Sequence, residues 1–420
     1  MKTKKKPVQI DIKALQKLIK SVSHFSETQK TQIRNISAAT LAVVVVVGMF
    51  ANIPQIQNYF SSQPSEAAGI NPGLPGGSLS NDILNNSTDA QGPYPWRPQG
   101  VMSVVSDYNT NDPRVDGDKI VYEKRIDQYN RDIYLFNADG GSTESICVDA
   151  ADQSTPDISG NHVVWLDWRG SSMNEGHHDV YLYDLDTGVE KNITNYYHAQ
   201  ADGVSIDGNY IVFHMLYHYW YWGHRPREVM LYNIATGETS KLFEYPENQW
   251  IERIRIENNK VVMSFTGYAN NKIYNIDTPE LKYIYPSIGD QYGVDIYNDK
   301  VVWSEKINGR TIIYLYDLIS TKKEIVQVYN FENNMIMPAI SDGLVVWGVP
   351  SGAVGFGGIW VKNISIPSFL VNPPQLLNDQ PDEFEETTSV RIFHNRVVWH
   401  AQNILHPEWG SKIFMYTISN

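Results

Sequence analysis

Cysteine is nearly missing from this chain. Cys147 is the one cysteine in 420 residues, so no intrachain disulfide can form and Cys-rich metal sites such as zinc ribbons are excluded. No cysteine follows the apolar N-terminal segment, which removes a lipoprotein anchor. Charge is also modest: 19% of residues are charged, against 26 Tyr and 11 Trp. That balance suits short packed strands better than long solvent-facing helices. The sequence has no Gly-x-Ser-x-Gly elbow, no His-Glu-x-x-His pair, no phosphate-binding glycine loop and no catalytic cysteine pairing. No cofactor is expected from it.

Positive charge is scarce beyond the N-terminus. Residues 1–36 hold nine Lys/Arg against Asp11 and Glu27, a net of +7 in a chain of formal charge −13, so the remainder carries −20. An acidic main body argues against nucleic acid as a partner. Long apolar runs are equally scarce, and the single example is informative. From Ile36 to Ile53 the sequence reads ISAATLAVVVVVGMFANI, with no charge between Asn35 and Ser65. Eighteen helical residues span roughly 27 Å, enough to cross a bilayer core. The basic residues all precede it, so the expectation is a cytoplasmic N-terminus and an extracytoplasmic remainder. The basic region is too long for an ordinary signal peptide, and Ser65-Glu66-Ala67 fits a cleavage site only loosely. An uncleaved signal anchor is therefore expected, making this a single-pass cell-membrane protein. Within the tail, Val8, Ile12, Leu15, Leu18, Ile19, Val22 and Phe25 fall at helical spacing among lysines. Such a helix suits the inner leaflet or a cytoplasmic partner equally. Residues 54–98 are rich in Gly, Pro, Ser and Asn and read as a flexible linker.

From residue 99 onward an internal repeat dominates. An apolar residue is followed by a turn, then by three apolar residues at +5, +6 and +7. It begins at Val115, Ile158, Ile206, Ile256, Ile296, Ile340 and Ile392. Its period of 40–52 residues is that of a four-stranded propeller blade. The intervening Asp116-Gly117, Ser159-Gly160, Asp207-Gly208, Asn258-Asn259, Asn298-Asp299 and Asp342-Gly343 favour positive φ and predict tight hairpins. A third strand follows, as in DVYLYDL from Asp179 and KIFMY from Lys412, and Asp186-Thr187-Gly188 turns into a fourth. The seventh repeat ends after its third strand. Residues 101–105 stand before Pro113 much as 145–148 stand before Pro156, so they are predicted to supply the missing strand and close the ring. The expected fold is all-β, a seven-bladed propeller over 99–420, with six blades plus a hairpin as the rival.

The stretch 157–194, with Asp167-x-Arg169-Gly170 followed by Asp179-Val-Tyr-x-Tyr-Asp184, resembles repeats of the TolB-like propeller family of exported bacterial and archaeal proteins. Copies from Gly117 and Asn298 match more loosely, and those at Asn258 and Asp342 hardly at all. As a repeat pattern the resemblance covers about 320 residues. It implies a propeller and a binding or scaffold role in the envelope, and it names no activity.

Chemistry collects on one predicted face. Turns between strands one and two are short, whereas several loops between strands two and three are long and aromatic. The candidate ligand-binding residues there are Trp168, Arg169, His177 and His178 in repeat two, and His218, Trp220, Trp222, His224 and Arg225 in repeat three. Trp409 in repeat seven completes the set. Aromatic faces with arginine suit envelope glycan, peptide or protein; equally, such loops can pack on themselves and cap the ring. The alternative is a propeller-type polysaccharide lyase holding a divalent metal with histidines drawn from His178, His198, His214, His218 and His224. No pair of these has a specific metal-motif spacing.

Overall fold

Three consecutive apolar residues in a strand point alternately to its two faces, so a strand buried on both sides needs all three. The computed structural model shows this in every repeat. It describes residues 98–170, 177–195, 199–217, 227–266, 270–331, 336–349, 358–366, 373–377, 384–403 and 410–419. These form seven four-stranded antiparallel sheets and no helix. The first strands are Thr110–Asp116, Gln153–Ser159, Ala199–Asp207, Ile251–Glu257, Asp290–Tyr297, Ala339–Ser341 and Phe384–Phe393. Each contacts the first strand of the next blade, and Phe384–Phe393 contacts Thr110–Asp116, so the blades form a ring.

A separate hydrophobic core fills each blade interface. In blade 2, Val163 and Trp165 pack with Val121 and Ile133 of blade 1, while Val164 between them packs with Ile211 and Phe213 of blade 3. In blade 5, Val301 and Trp303 face Val262 of blade 4, and Val302 faces Val345 and Trp347 of blade 6. Val397 and Trp399 face blade 6 and Val398 faces blade 1. The opening apolar residue of each repeat joins the same interface as the +5 and +7 residues. Four tryptophans at the +7 position, Trp165, Trp303, Trp347 and Trp399, are fully buried.

The ring closes as expected. Strand Gln99–Val104 pairs antiparallel with Ser411–Ser419 at the edge of blade 7, from Gln99 opposite Ser419 to Val104 opposite Phe414. The Val105 amide then donates to the Ile413 carbonyl at 2.8 Å. A hydroxyl cluster locks the corner: the Ile413 amide donates to Ser106 Oγ at 3.0 Å, and Ser411 Oγ donates to the Thr110 carbonyl at 2.6 Å. Gly100 is required there, because a Cβ would lie 2.2 Å from the Thr417 carbonyl oxygen.

The tight turns carry positive φ, as the residues demand. In blades 4, 5 and 6 both turn residues do so: Asn258-Asn259, Asn298-Asp299 and Asp342-Gly343. In blades 1, 2 and 3 the glycine is the first of the two turn residues, so the turns are Gly117-Asp118, Gly160-Asn161 and Gly208-Asn209, one residue later than the sequence pairs suggest. The proposed membrane segment, residues 36–53, and the linker lie outside the described residues. Among the described residues no helix is long and apolar enough to cross a membrane.

Candidate functional site

Of the ten candidate residues, Trp168, Arg169, His177 and His178 fall within the described residues; His218, Trp220, Trp222, His224, Arg225 and Trp409 lie outside them. Trp168 and His178 sit where blade 2 meets blade 3, whereas Arg169 turns to the face of blade 2 that packs on blade 1. Asp167, fully buried, anchors Arg169: it accepts from Trp165 Nε1 at 2.8 Å, from the Arg169 amide at 2.8 Å and from Arg169 Nε at 3.0 Å. Arg169 reaches Glu190 at 2.8 Å and lies 4.2 Å over the Tyr181 ring. The Asp-x-Arg-Gly motif is thus a clamp across blade 2. Gly170 completes it, since a Cβ there would meet Asp179 Oδ2 at 2.9 Å.

Trp168 packs against the core between blades 2 and 3, with its ring 4.1 Å from that of His178. The Ala201 carbonyl lies 2.8 Å from His178 Nδ1, and burial lowers this imidazole's pKa. His177 is half-buried beside it. His214, 1% exposed, sits on the same stretch of blade 3, with Nδ1 3.0 Å from Tyr245 Oη. Burial and the nearby Arg227 charge push His214 down to about 3, so it is neutral at physiological pH. Trp250 stays 37% exposed, with the Arg227 guanidinium 4.8 Å over its ring. His198 lies outside the described residues, and among those described no three His, Cys, Asp or Glu side chains are grouped to hold a metal ion. The Asn192-Ile193-Thr194 sequon is occupied by the fold itself: Asn192 Nδ2 donates to Asp179 at 2.9 Å, and Thr194 Oγ1 to Asp179 at 2.7 Å.

A second place was missed in the sequence. In six blades the residue just before the repeat's opening apolar position faces the ring's central channel, and these read Arg114, Asp157, Ser205, Arg255, Asp295 and Arg391, while blade 6 has Ala339, which packs into the core between blades 6 and 7. Most of them line a cavity of about 400 Å³ that opens beside the tight turns. The residues just after the apolar position form its rim and staple neighbouring blades. Ser159 Oγ accepts from the Gly208 amide at 3.0 Å, Asp207 from Asn258 at 2.7 Å, Glu257 from Asn298 at 3.1 Å and Ser341 Oγ from His394 at 2.9 Å. Asp116 accepts from Gly160 in the same way. Tyr297 Oη donates to Asp342 at 2.6 Å, and Phe393, which cannot accept, is replaced by Arg396 donating to the Gly117 carbonyl at 2.6 Å. A signal existed in the polar bias of both flanking positions, but it is hidden by their varied identity.

No family model matches the chain, and no curated protein does. Solved structures do. An oligogalacturonate lyase in complex with manganese is 12% identical, with a TM-score of 0.55 over 77% of this chain and 94% of that one. The β-propeller domain of the Trilobed protease from Pyrococcus furiosus, described as an open velcro topology, is 12% identical at TM-score 0.53, over 74% and 98%. TolB from Acinetobacter baumannii is matched at TM-score 0.42 and 12% identity over 73% and 65%, a level that carries no argument. At these identities the likeness is one of fold. In architecture, the described residues between Gln99 and Ser419 form a seven-bladed β-propeller of four-stranded blades, closed through blade 7 by the strand Gln99–Val104.

Proposed function

We propose that this chain is a membrane-anchored extracytoplasmic propeller that binds envelope glycan, peptide or protein and catalyses no reaction. The supporting observation is the asymmetry of the ring. One end is built from two-residue turns stapled blade to blade. The other end carries Trp168 beside His178 at blades 2 and 3 and Arg227 over Trp250 at blades 3 and 4, and Arg227 directly follows, in sequence, the stretch holding His218, Trp220, Trp222, His224 and Arg225. Half-exposed aromatics beside arginine are the usual anchors of binding surfaces. The cytoplasmic N-terminus and the anchor at 36–53 belong to this proposal and rest on the basic flank and the uncharged run.

The test is the full-length Trp220→Ala/Trp222→Ala variant, assayed for retention of envelope polysaccharide and of envelope proteins. Retention is expected to weaken by roughly 2–4 kcal/mol of binding free energy, with the melting temperature unchanged. A sharp fall in melting temperature with unchanged retention would make these loops a structural cap instead.

A lyase reading has one observation of its own. His178 and His214 both use Nδ1 for a partner within the fold and are neutral, the state in which histidines ligate metals through Nε2. Metal analysis of the purified full-length protein separates the two: a stoichiometric divalent ion with loss of acidic polysaccharide would overturn the binding assignment.

A further inference from the structure

The central channel holds buried arginine without enough partners. Arg253 and Arg255 alternate along the first strand of blade 4 with Ile254 and Ile256, which pack into the core between blades 3 and 4. Both arginines therefore face the channel, with Arg253 one layer deeper than Arg255, which lines the cavity. Arg253 is 6% exposed and none of its three guanidinium nitrogens has a hydrogen-bond partner. Arg391 Nε is likewise unpartnered, its Nη1 reaching no further than the Val390 carbonyl at 2.7 Å, and Arg255 Nη1 makes the same contact with Ile254 at 2.8 Å. Of the four, Arg114 alone donates to a carboxylate, its two terminal nitrogens reaching both oxygens of Asp112 at 2.6 and 3.2 Å. Burial and mutual repulsion lower the pKa values of Arg253, Arg255 and Arg391. A buried cation left unpaired is strongly destabilising unless an anion meets it.

We propose that this channel is a binding site for a small organic monocarboxylate, gripped by Arg253, Arg255 and Arg391. Guanidinium forks match a carboxylate in two-point geometry. The surroundings favour a ligand of low negative charge: the cavity above Arg253 is lined by Arg114, Arg255 and Arg391 together with Asp157 and Asp295. Asp157 accepts from Ser205 Oγ at 2.9 Å and Asp295 from the Ile340 amide at 3.1 Å, and neither makes a hydrogen bond to Arg253. A single carboxylate adds the least negative charge beneath the rim of Asp116, Asp207 and Glu257, where the larger charge of phosphate is repelled more strongly. The 400 Å³ volume exceeds a bare carboxylate, and Tyr297 and Phe393 at the mouth offer contact to an apolar tail. The site lies at the stapled end of the ring and does not rest on the proposed loop-face function.

The experiment is thermal unfolding of the full-length protein in acetate, butyrate, phosphate or chloride at one ionic strength. Binding to the folded state raises the melting temperature with the logarithm of ligand concentration. The wild type should respond to acetate, more strongly to butyrate, and not to phosphate beyond chloride. Arg253→Gln and Arg391→Gln should each weaken the apparent carboxylate affinity at least tenfold. In chloride, Arg253→Gln should melt no lower than wild type, because it removes an unpaired buried charge. Equal responses to acetate and chloride, a stronger response to phosphate, or an unchanged response in both variants would overturn the proposal. So would an Arg253→Gln protein that melts well below wild type in chloride, since Arg253 would then be a structural residue.

Discussion

At the scale of single residues, the rim of the channel is where one side chain joins two blades. Asp207 takes the Asn258 amide of the next blade, and the strained positive φ of Asn258 is held by that bond. Replacing Asp207 with Ala leaves the amide without its charge-assisted partner, and a loss of about 1–2 kcal/mol is expected in denaturant unfolding. Asp207→Asn keeps an acceptor and should recover most of it. Equal midpoints for Asp207→Ala and wild type would show that the staple contributes nothing. These residues were not legible in the sequence because Asp, Ser, Glu and Tyr all do the same work, so no single letter repeats.

Titration is set at the same scale. Burial takes His214 from 6.5 down to about 3, and His400 down to about 4. Between the unfolded and folded pKa values the unfolded chain binds more protons. Their contribution to stability is thus complete above about pH 6.5 and is lost as pH falls toward 3. Asp202, opposite His214 in the blade 3 ladder and raised to about 6, and Glu123, raised to about 7, act in the opposite sense. The histidine contribution is therefore read as a difference. Across pH 7 to 4, His214→Gln should lose less melting temperature than wild type. Parallel curves would show that His214 does not titrate between the folded and unfolded states.

At the scale of the element, most of the architecture could be read from the chain. The +5, +6 and +7 triplets are visible because a strand buried on both faces tolerates no polar residue there, and the structure assigns each triplet to two different cores. The hairpin turns were visible through Gly and Asn, although the glycine opens the turn in blades 1, 2 and 3 and does not close it. The channel was harder to see. Its lining residues occupy one position on the innermost strand, where Arg, Asp and Ser follow one another around the ring, and their relation exists only once the strands are brought to one axis. The Asp167-x-Arg169 pair was legible as a motif, while its role as an internal clamp depends on Trp165, Tyr181 and Glu190 from three strands.

At the scale of the molecule, the ring holds seven blades, and the last blade borrows its outer strand from the N-terminal side. That closure removes two open sheet edges and ties the start of the domain to its end. It also fixes which loops share a face, and hence where binding is proposed. Cysteine pairing tests it directly. Val101 lies opposite Thr417 in the register of the closing strands, and antiparallel neighbours stand within disulfide range. The natural Cys147 is buried with its thiol pushed up to about 12, so it will not compete. In a full-length Val101→Cys/Thr417→Cys protein, mild oxidation should produce an intramolecular disulfide in nearly every molecule, seen as faster migration in a non-reducing gel and a higher melting temperature. If the two cysteines stay reduced in a folded protein, Gln99–Val104 does not close blade 7 and the seven blades do not form a ring sealed by that strand.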